Sequence, residues 1–292
     1  LRGDYKRPDG TSGNRLRFWE KHDFLPRFDD VYQERLYCIQ WMRTKKDSKK
    51  EEYEFRSVTE EDWAREKIAA DYIANHLRDW QDKGWIPDMR IESGYNTDQP
   101  IRERGWTHWH HLFNARQLLM AGLVNQSPVA ELKFGLVQLL NWNSRLCIWS
   151  VHDGGGGAVK NTFMNQALNT LFNYGCRGSE YCIDLISMAY KTYPILSSTV
   201  VKSSPSSQYD DNSDILITDP PYGDAVKYEE ILEFFIAWLR RNPPPEFADW
   251  IWDSRRALAI KGEDENFRRS MVAAYGRMTE LMPDNGIQVI MF

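Results

Sequence analysis

The side chains best placed for chemistry follow an apolar run. Ile215-Leu216-Ile217-Thr218 ends abruptly in Asp219-Pro220-Pro221-Tyr222-Gly223-Asp224. The apolar residues are continuous rather than alternating, which predicts a buried strand. Neither proline has an N–H to give to a ladder, so the chain must leave the sheet at the strand's carboxyl end on a stiff backbone. Open α/β sheets receive their ligands at that end. A carboxylate, a rigid turn and an aromatic ring therefore stand together there.

This combination suits one kind of reaction. Modifying the amino group of a nucleobase requires taking that base out of its stack. The extruded base needs a π-face, which Tyr222 offers, and its exocyclic NH2 needs acceptors, which the Asp219 carboxylate and the Pro220 carbonyl offer. Because the prolines hold these acceptors rigidly, little ordering cost remains when the base arrives. The amine is a poor nucleophile, since its lone pair is delocalised into the ring. Acceptors on its hydrogens favour the pyramidal, attacking form, and alignment supplies most of the rate without a covalent enzyme intermediate. Gly223, Asp224 and Tyr228 stand just past the turn, where they would contact the base or order the loop.

Other constellations are weaker. Leu146–Val151 followed by His152-Asp153 and Gly154-Gly155-Gly156-Gly157 mimics a strand–glycine loop–helix unit, although four glycines in a row also read as a flexible connection. Lys160 does not turn it into a phosphate loop, because the Gly-Lys-Ser/Thr order is missing. His108, His110 and His111 have no acidic or cysteine neighbour and read as a polar helix entrance rather than a metal site. Arg116, inside an apolar helix, calls for a partner, either a bound anion or a second segment that it ties down.

The elements around these residues can be read in outline. Residues 1–30 are rich in Gly, Pro, Asp and Arg and predict a loop or an arm. Glu34–Met42 and Glu51–Ser57 predict a β-hairpin with a lysine-rich tip over Thr44–Lys50. Ser57–Lys83 predicts a helix, with Thr59 and Asp62 as a capping box, an apolar stripe through Trp63, Ile68, Tyr72, Ile73, His76, Leu77 and Trp80, and Gly84 as its stop. A loop is expected over Pro87–Arg104, then helices at Trp109–Val124, Val129–Asn143 and Asn161–Tyr174, with a short strand at Leu146–Val151. Leu196–Ser203 predicts a strand and Ser204–Ser213 a polar loop. After the Asp-Pro-Pro-Tyr turn come a helix at Lys227–Arg241, with Ile231, Leu232, Phe235, Ile236 and Leu239 inward, a helix at Phe267–Met282, a tight turn at Asp284-Asn285-Gly286, and a strand at Ile287–Phe292. Strand, loop, helix, helix, strand is half of a doubly wound sheet. The sequence stops inside that last strand and reads as part of something longer.

With 292 residues, 42% of them hydrophobic and 13% aromatic, the chain has the composition of a folded globular protein. Its twelve tryptophans serve a core, a base-stacking surface or a partner interface. A net charge of −5 excludes a general nucleic-acid coat, so contact with DNA must come from local patches. Candidates are Arg2, Lys6, Arg7, Arg15 and Arg17, the lysines of the hairpin tip, and the pairs Arg240-Arg241, Arg255-Arg256 and Arg268-Arg269. Cys38, Cys147, Cys176 and Cys182 lack Cys-x-x-Cys spacing, which argues against zinc and suits reduced thiols of a cytoplasmic protein. No apolar run approaches a membrane span, and no signal peptide is visible.

Asp219-Pro220-Pro221-Tyr222 resembles motif IV of the amino-methyltransferases that act on adenine N6 or cytosine N4, in the form typical of the adenine enzymes. More widely, the chain from about Tyr53 onward resembles a bacterial family of adenine-specific DNA methylases. The matching stretches are Gly105-Trp106-Thr107-His108-Trp109 with Leu112–Gln117, then Asn161-Thr162-Phe163 with Asn165–Asn169, and then Thr218–Asp224 continuing through Tyr228, Glu229 and Phe234 to Trp238. The resemblance implies an α/β fold with part of a Rossmann-like, S-adenosylmethionine-dependent methyltransferase sheet and a largely helical insertion or N-terminal region. It implies an arm and hairpin over 1–56, a mostly helical region over 57–195, and part of the catalytic domain over 196–292. Its catalytic residues would be Asp219, Pro220, Pro221 and Tyr222, with Tyr222, Gly223, Asp224 and Tyr228 on the substrate. DNA is the implied partner, joined by defence-system proteins such as a helicase or ATPase, since relatives occur in phage-defence gene clusters. Two departures stand out. The family's zinc-ribbon cysteines are missing, so no metal is expected. Its Asp-Pro-Phe-x-Gly-x-Gly loop, which holds the methionine part of the cofactor, is also missing, so Asp219 is the only expected cofactor contact and the main loop lies outside this sequence. A catalytically inert DNA-binding or scaffold subunit is the alternative.

Overall fold

The computed structural model describes the chain except residues 1–3, 7, 11, 15, 45–50, 151–156, 165–167, 187–193, 195–196, 222–225, 255–258, 261–263 and 292. It is a mixed α/β structure of seven α-helices and two-stranded sheets among the described residues. The chain divides into two compact units, Leu1–Met188 with Ala237–Ala248, and Ala189–Ile236 with Asp249–Phe292. No helix among the described residues is long and apolar enough to cross a membrane.

The first unit opens with a small hairpin, β1 (Asp4–Lys6) with β2 (Ser12–Asn14), where a loop was expected. A longer hairpin joins β3 (Cys38–Thr44) to β4 (Glu51–Ser57), with Cys38 opposite Ser57. Its lysine-rich tip, 45–50, lies outside the described residues. Helix α1 (Glu60–Asp82) starts at the expected Thr59 cap, three residues inside the expected bound at Ser57, which still belongs to β4. Thr59 accepts from the Asp62 N–H, and the Asp62 carboxylate accepts from the Thr59 N–H at 2.9 Å. Gly84, at φ 74°, takes the left-handed conformation that stops the helix. The buried stripe is Ala69, Ile73, Leu77, Trp80 and Gln81, whereas Trp63, Ile68 and Tyr72 are exposed. The stripe is thus narrower than expected.

Pro87–Arg104 is not all loop. Asp98–Arg104 forms α2, because Gly105 closes it in a left-handed cap and Asp98 accepts from the Ser93 hydroxyl at 2.6 Å. The helix expected over Trp109–Val124 is also broken. A 3-10 turn at Trp109–Leu112 ends in extended backbone at Phe113, and Asn114 caps a new helix, α3 (Ala115–Asn125), in a box with Gln117. Helix α4 (Ala130–Trp142) follows, then the hairpin of β5 (Trp149–Ser150) with β6 (Ala158–Val159), and α5 (Ser179–Ile186). Helices α1, α3, α4 and α5 pack in sequence. The α1–α3 crossing is close because Gly122 has no Cβ; one there would lie 2.3 Å from the Trp80 ring.

Asn161–Tyr174 is not helical in its described part. Backbone groups there are taken by a side chain and by the end of α4 instead: Arg104 Nη2 donates to the Leu171 carbonyl at 2.6 Å, and the Thr162 N–H donates to the Asn141 carbonyl at 2.5 Å. Leu196–Ser203 is likewise not a strand in its described part, and no described strand pairs with it.

Asn125 ties the first unit together. Its side-chain NH2 donates to the carbonyls of Gly84, Trp85 and Trp238 at 3.2, 3.0 and 3.0 Å. Its two oxygens receive the buried Lys133 ammonium at 2.5 and 2.8 Å. Asn125→Ala strands these buried groups. A loss of about 3 kcal/mol in urea unfolding is expected; a loss under about 1 kcal/mol would show that water replaces the amide.

In the second unit, β7 (Ile215–Thr218) and β8 (Ile287–Ile290) are parallel, with Ile215 beside Ile287 and Thr218 beside Ile290. Between them run α6 (Tyr228–Leu239), whose last turn belongs to the first unit, and α7 (Glu265–Glu280). Parallel pairing requires such a long crossover. The turn at Asp284-Asn285-Gly286 is present, the Gly286 N–H reaching the Pro283 carbonyl at 2.8 Å. The burial expected of β7 is corrected. Leu216 is 9% exposed, but Ile215 and Ile217 are 61% and 67% exposed and share a face with Ile287 and Val289. Only one face of this two-stranded ribbon is covered among the described residues.

Candidate functional site

The candidate site is the carboxyl end of β7. Thr218 is fixed there by its carbonyl, which accepts from the Met291 N–H at 2.9 Å, and by its hydroxyl, 3.2 Å from the Tyr275 hydroxyl. The next residues leave the ribbon as expected: Asp219 is exposed, Pro220 buried and Pro221 half-buried. A carboxylate in water beside a buried, rigid carbonyl carrier can accept hydrogens from an incoming amine. Tyr222, Gly223 and Asp224 lie outside the described residues. Tyr228, half-exposed, is the first residue of α6.

The face that α6 buries differs from expectation. Glu229, Glu230, Glu233 and Phe234 are buried, while Leu232 is exposed and Ile231, Phe235 and Ile236 are intermediate. Leu239 is buried, as expected. The helix turns its acidic face inward because partners meet it, as when the Ser254 hydroxyl donates to Glu233 at 2.6 Å. Glu229 and Glu230 also lie in the first turn, where the helix N-terminus favours negative charge. The burial of these carboxylates was not foreseen. The Glu229-Glu230-Glu233 spacing was visible, but it reads equally as a solvated helix face.

The competing constellations resolve into structure. The segment after the glycine run is a strand, β6, antiparallel to β5, so the strand–glycine loop–helix unit does not exist there. Gly154, Gly155 and Gly156 themselves lie outside the described residues. Arg116 meets Glu66, its Nε donating at 2.8 Å, which makes it a tie between α3 and α1. Arg241 donates to the carbonyls of Gln81 and Asp82 at the end of α1, both at 2.8 Å, so it is not a free phosphate contact. Arg17 is held by Asp23 and Asp30, and Arg268 by Glu265 on its own helix.

The histidines are a buried clasp, not a polar helix entrance. His110 Nε2 lies 3.1 Å from the Asp23 carbonyl and His111 Nε2 lies 3.0 Å from the Glu20 carbonyl. His111 Nδ1 accepts from the N–H groups of Thr107 and His108 at 3.1 and 3.2 Å. Among the described residues no group of His, Cys, Asp and Glu is arranged to hold a metal ion. Burial, reinforced by the neighbouring histidines, pushes His110 down to about 3 and His111 well below its usual value. The unfolded chain therefore takes up protons that the folded one refuses. Stability is full above about pH 6.5 and is lost as pH falls. Going from pH 7 to about 4.5 is expected to cost about 3 kcal/mol from His110 alone. The dependence should weaken by about one proton in His110→Gln. Unfolding curves across that range with equal slopes for the two proteins would refute the assignment.

No known protein family, curated protein or solved structure matches this chain.

Proposed function

We propose that this chain carries the acceptor side of an adenine-N6 DNA methyltransferase site, with S-adenosylmethionine as the methyl donor. The observation that carries the reading is the order parallel strand β7, Asp219-Pro220-Pro221, helix α6, with the carboxylate exposed at the strand's carboxyl end. Asp219 and the Pro220 carbonyl accept the hydrogens of the extruded adenine's amine, and Tyr222 is the stacking ring. Glu229, Glu230 and Glu233 are buried on the helix that follows the turn in sequence and anchor that helix. The parallel β7–β8 pair is then the described part of a Rossmann-like sheet, as the methylase resemblance implies, and the partners are DNA and proteins of a defence system.

The residues fit the amine better than they fit the donor. Holding the donor's methionine part takes a glycine turn at the strands' carboxyl ends, where the backbone can approach it. Among the described glycines of the second unit, Gly276 is inside α7 and Gly286 precedes β8, at the opposite end of the strands. On this reading the described residues bear on the acceptor side of the reaction and not on the donor's methionine part. This same observation favours a second reading, a DNA-binding subunit with a methyltransferase-like fold and no activity of its own.

The test is to incubate the protein with radiolabelled S-adenosylmethionine and unmethylated duplex DNA, then to separate the nucleosides. Label in N6-methyladenine establishes the enzyme. DNA binding without label establishes the inert subunit.

A further inference from the structure

A cavity in the first unit is lined by a buried cation that no carboxylate among the described residues meets. It is lined by Trp19, Tyr32, Glu34, Trp106, Tyr174 and Arg104, among others, and encloses about 120 Å³, room for several water molecules. Arg104, in the last turn of α2, is only 8% exposed. Its guanidinium carbon lies over two rings, 4.3 Å from the centre of Tyr32 and 5.0 Å from that of Phe172. It donates to the carbonyls of Leu171 at 2.6 Å and Glu103 at 3.3 Å. No carboxylate among the described residues pairs with it. The carboxylates lining the same cavity are committed elsewhere: Asp30 accepts two bonds from Arg17, both at 2.8 Å, and Glu34 accepts from Arg145 Nη2 at 2.9 Å.

A charge taken out of water needs a counter-charge, and carbonyl dipoles supply only part of one. An arginine guanidinium presents paired donors that match a phosphate or carboxylate, and ring contacts limit its freedom to turn. The Tyr174 hydroxyl, which accepts from Asn114 Nδ2 at 3.3 Å, also lines the cavity. Phe172 at the rim is 76% exposed, so a flat group attached to the anion would find a ring to stack on.

We infer that this cavity is a phosphate-binding site, with Arg104 as its anchor and Phe172 as a platform for an attached base. The lining residues all belong to the first unit, and the proposal does not depend on methyl transfer. The phosphate is that of a free nucleotide or of a nucleic-acid strand.

Calorimetric titration with inorganic phosphate, AMP and a short single-stranded oligonucleotide tests the site and separates its sources. Wild type is expected to bind a phosphate probe, and Arg104→Gln to weaken it by at least about tenfold. Phe172→Ala is expected to weaken the base-bearing probes and to leave inorganic phosphate unchanged. Tightest binding of AMP names a nucleotide site. Tightest binding of the oligonucleotide, falling steeply with salt, names a strand. If Arg104→Gln does not fold by circular dichroism, the comparison passes to Arg104→Lys, which keeps the charge but not the two-pronged grip and should bind several-fold more weakly. The proposal is overturned if no probe binds wild type below roughly 10 mM, an affinity weaker than any useful site. It is equally overturned if the folded Arg104 variant binds all three probes as wild type does.

Discussion

Arg145→Met should destabilise the first unit by about 4 kcal/mol, the largest effect expected of any substitution away from the Asp219 turn. The Arg145 side chain is completely buried. It grips Glu34 with two nitrogens and donates to the carbonyls of His111, Phe113 and Phe24 at 2.6, 2.5 and 2.9 Å. Its guanidinium also lies 5.3 Å from the Trp19 ring and 5.7 Å from Trp106. Methionine fills much of the volume but leaves a carboxylate and three carbonyls without a donor, and each buried acceptor so stranded costs about 1–3 kcal/mol. Lysine keeps the charge and reaches one or two of these partners, so Arg145→Lys should lose about half as much. Glu34→Gln should lose less again, because Glu34 is partly in water and the carbonyls keep their donor. The order Met worse than Lys worse than Glu34→Gln, read from urea midpoints at constant slope, is the signature. Arg145→Met within about 1 kcal/mol of wild type would mean that water or a shift of the 20–34 segment replaces the guanidinium.

Arg145 also shows where sequence reasoning stops. The run Trp109–Val124 is apolar enough to read as one helix, and nothing near it announces a break. The break at Phe113 is drawn open by Arg145, more than thirty residues away, which takes the carbonyls of His111 and Phe113. The Asn114–Gln117 box restarts the helix and, like the Thr59–Asp62 box, could be read from spacing alone. Local signals of this kind were legible: α1 and its glycine stop, the β3–β4 hairpin, α4, α7, and the strand that ends in Asp219. Features set by distant partners were not. The irregular path of 161–174 depends on Arg104 and on Asn141, and the inward acidic face of α6 depends on residues such as Ser254. At the candidate site, the place of Asp219-Pro220-Pro221 at a strand's carboxyl end could be read in advance. The exposure of Ile215 and Ile217 could not, because an apolar run does not say how many layers will cover it.

Asp219→Ala should lower methyl transfer by about three orders of magnitude while leaving DNA affinity within a few-fold. In the proposed reaction the carboxylate acts on the amine as it attacks, so the loss belongs in kcat rather than in KM. Deleting one preorganised hydrogen-bonding group from a transition state costs about 10²–10³ in rate, and the loss of an ionised acceptor belongs at the upper end. Asp219→Asn separates the two parts of that role. It keeps one oxygen to accept a hydrogen, but it replaces the other with an NH2 that confronts the amine with a donor, so it should fall by about 10². Tyr228→Phe keeps the ring at the start of α6 and should change the rate less than about tenfold, which sets the scale for a residue beside the chemistry but not in it. Stability should follow the opposite pattern. Asp219 is exposed, and its substitution should shift the urea midpoint by no more than about 0.5 kcal/mol. An activity loss without a stability loss is therefore the mark of a chemical role. An active Asp219→Ala would remove the carboxylate from the reaction and leave the Pro220 carbonyl as the acceptor that matters, whereas inactive wild type that still binds DNA would return the chain to the inert reading whatever its variants do.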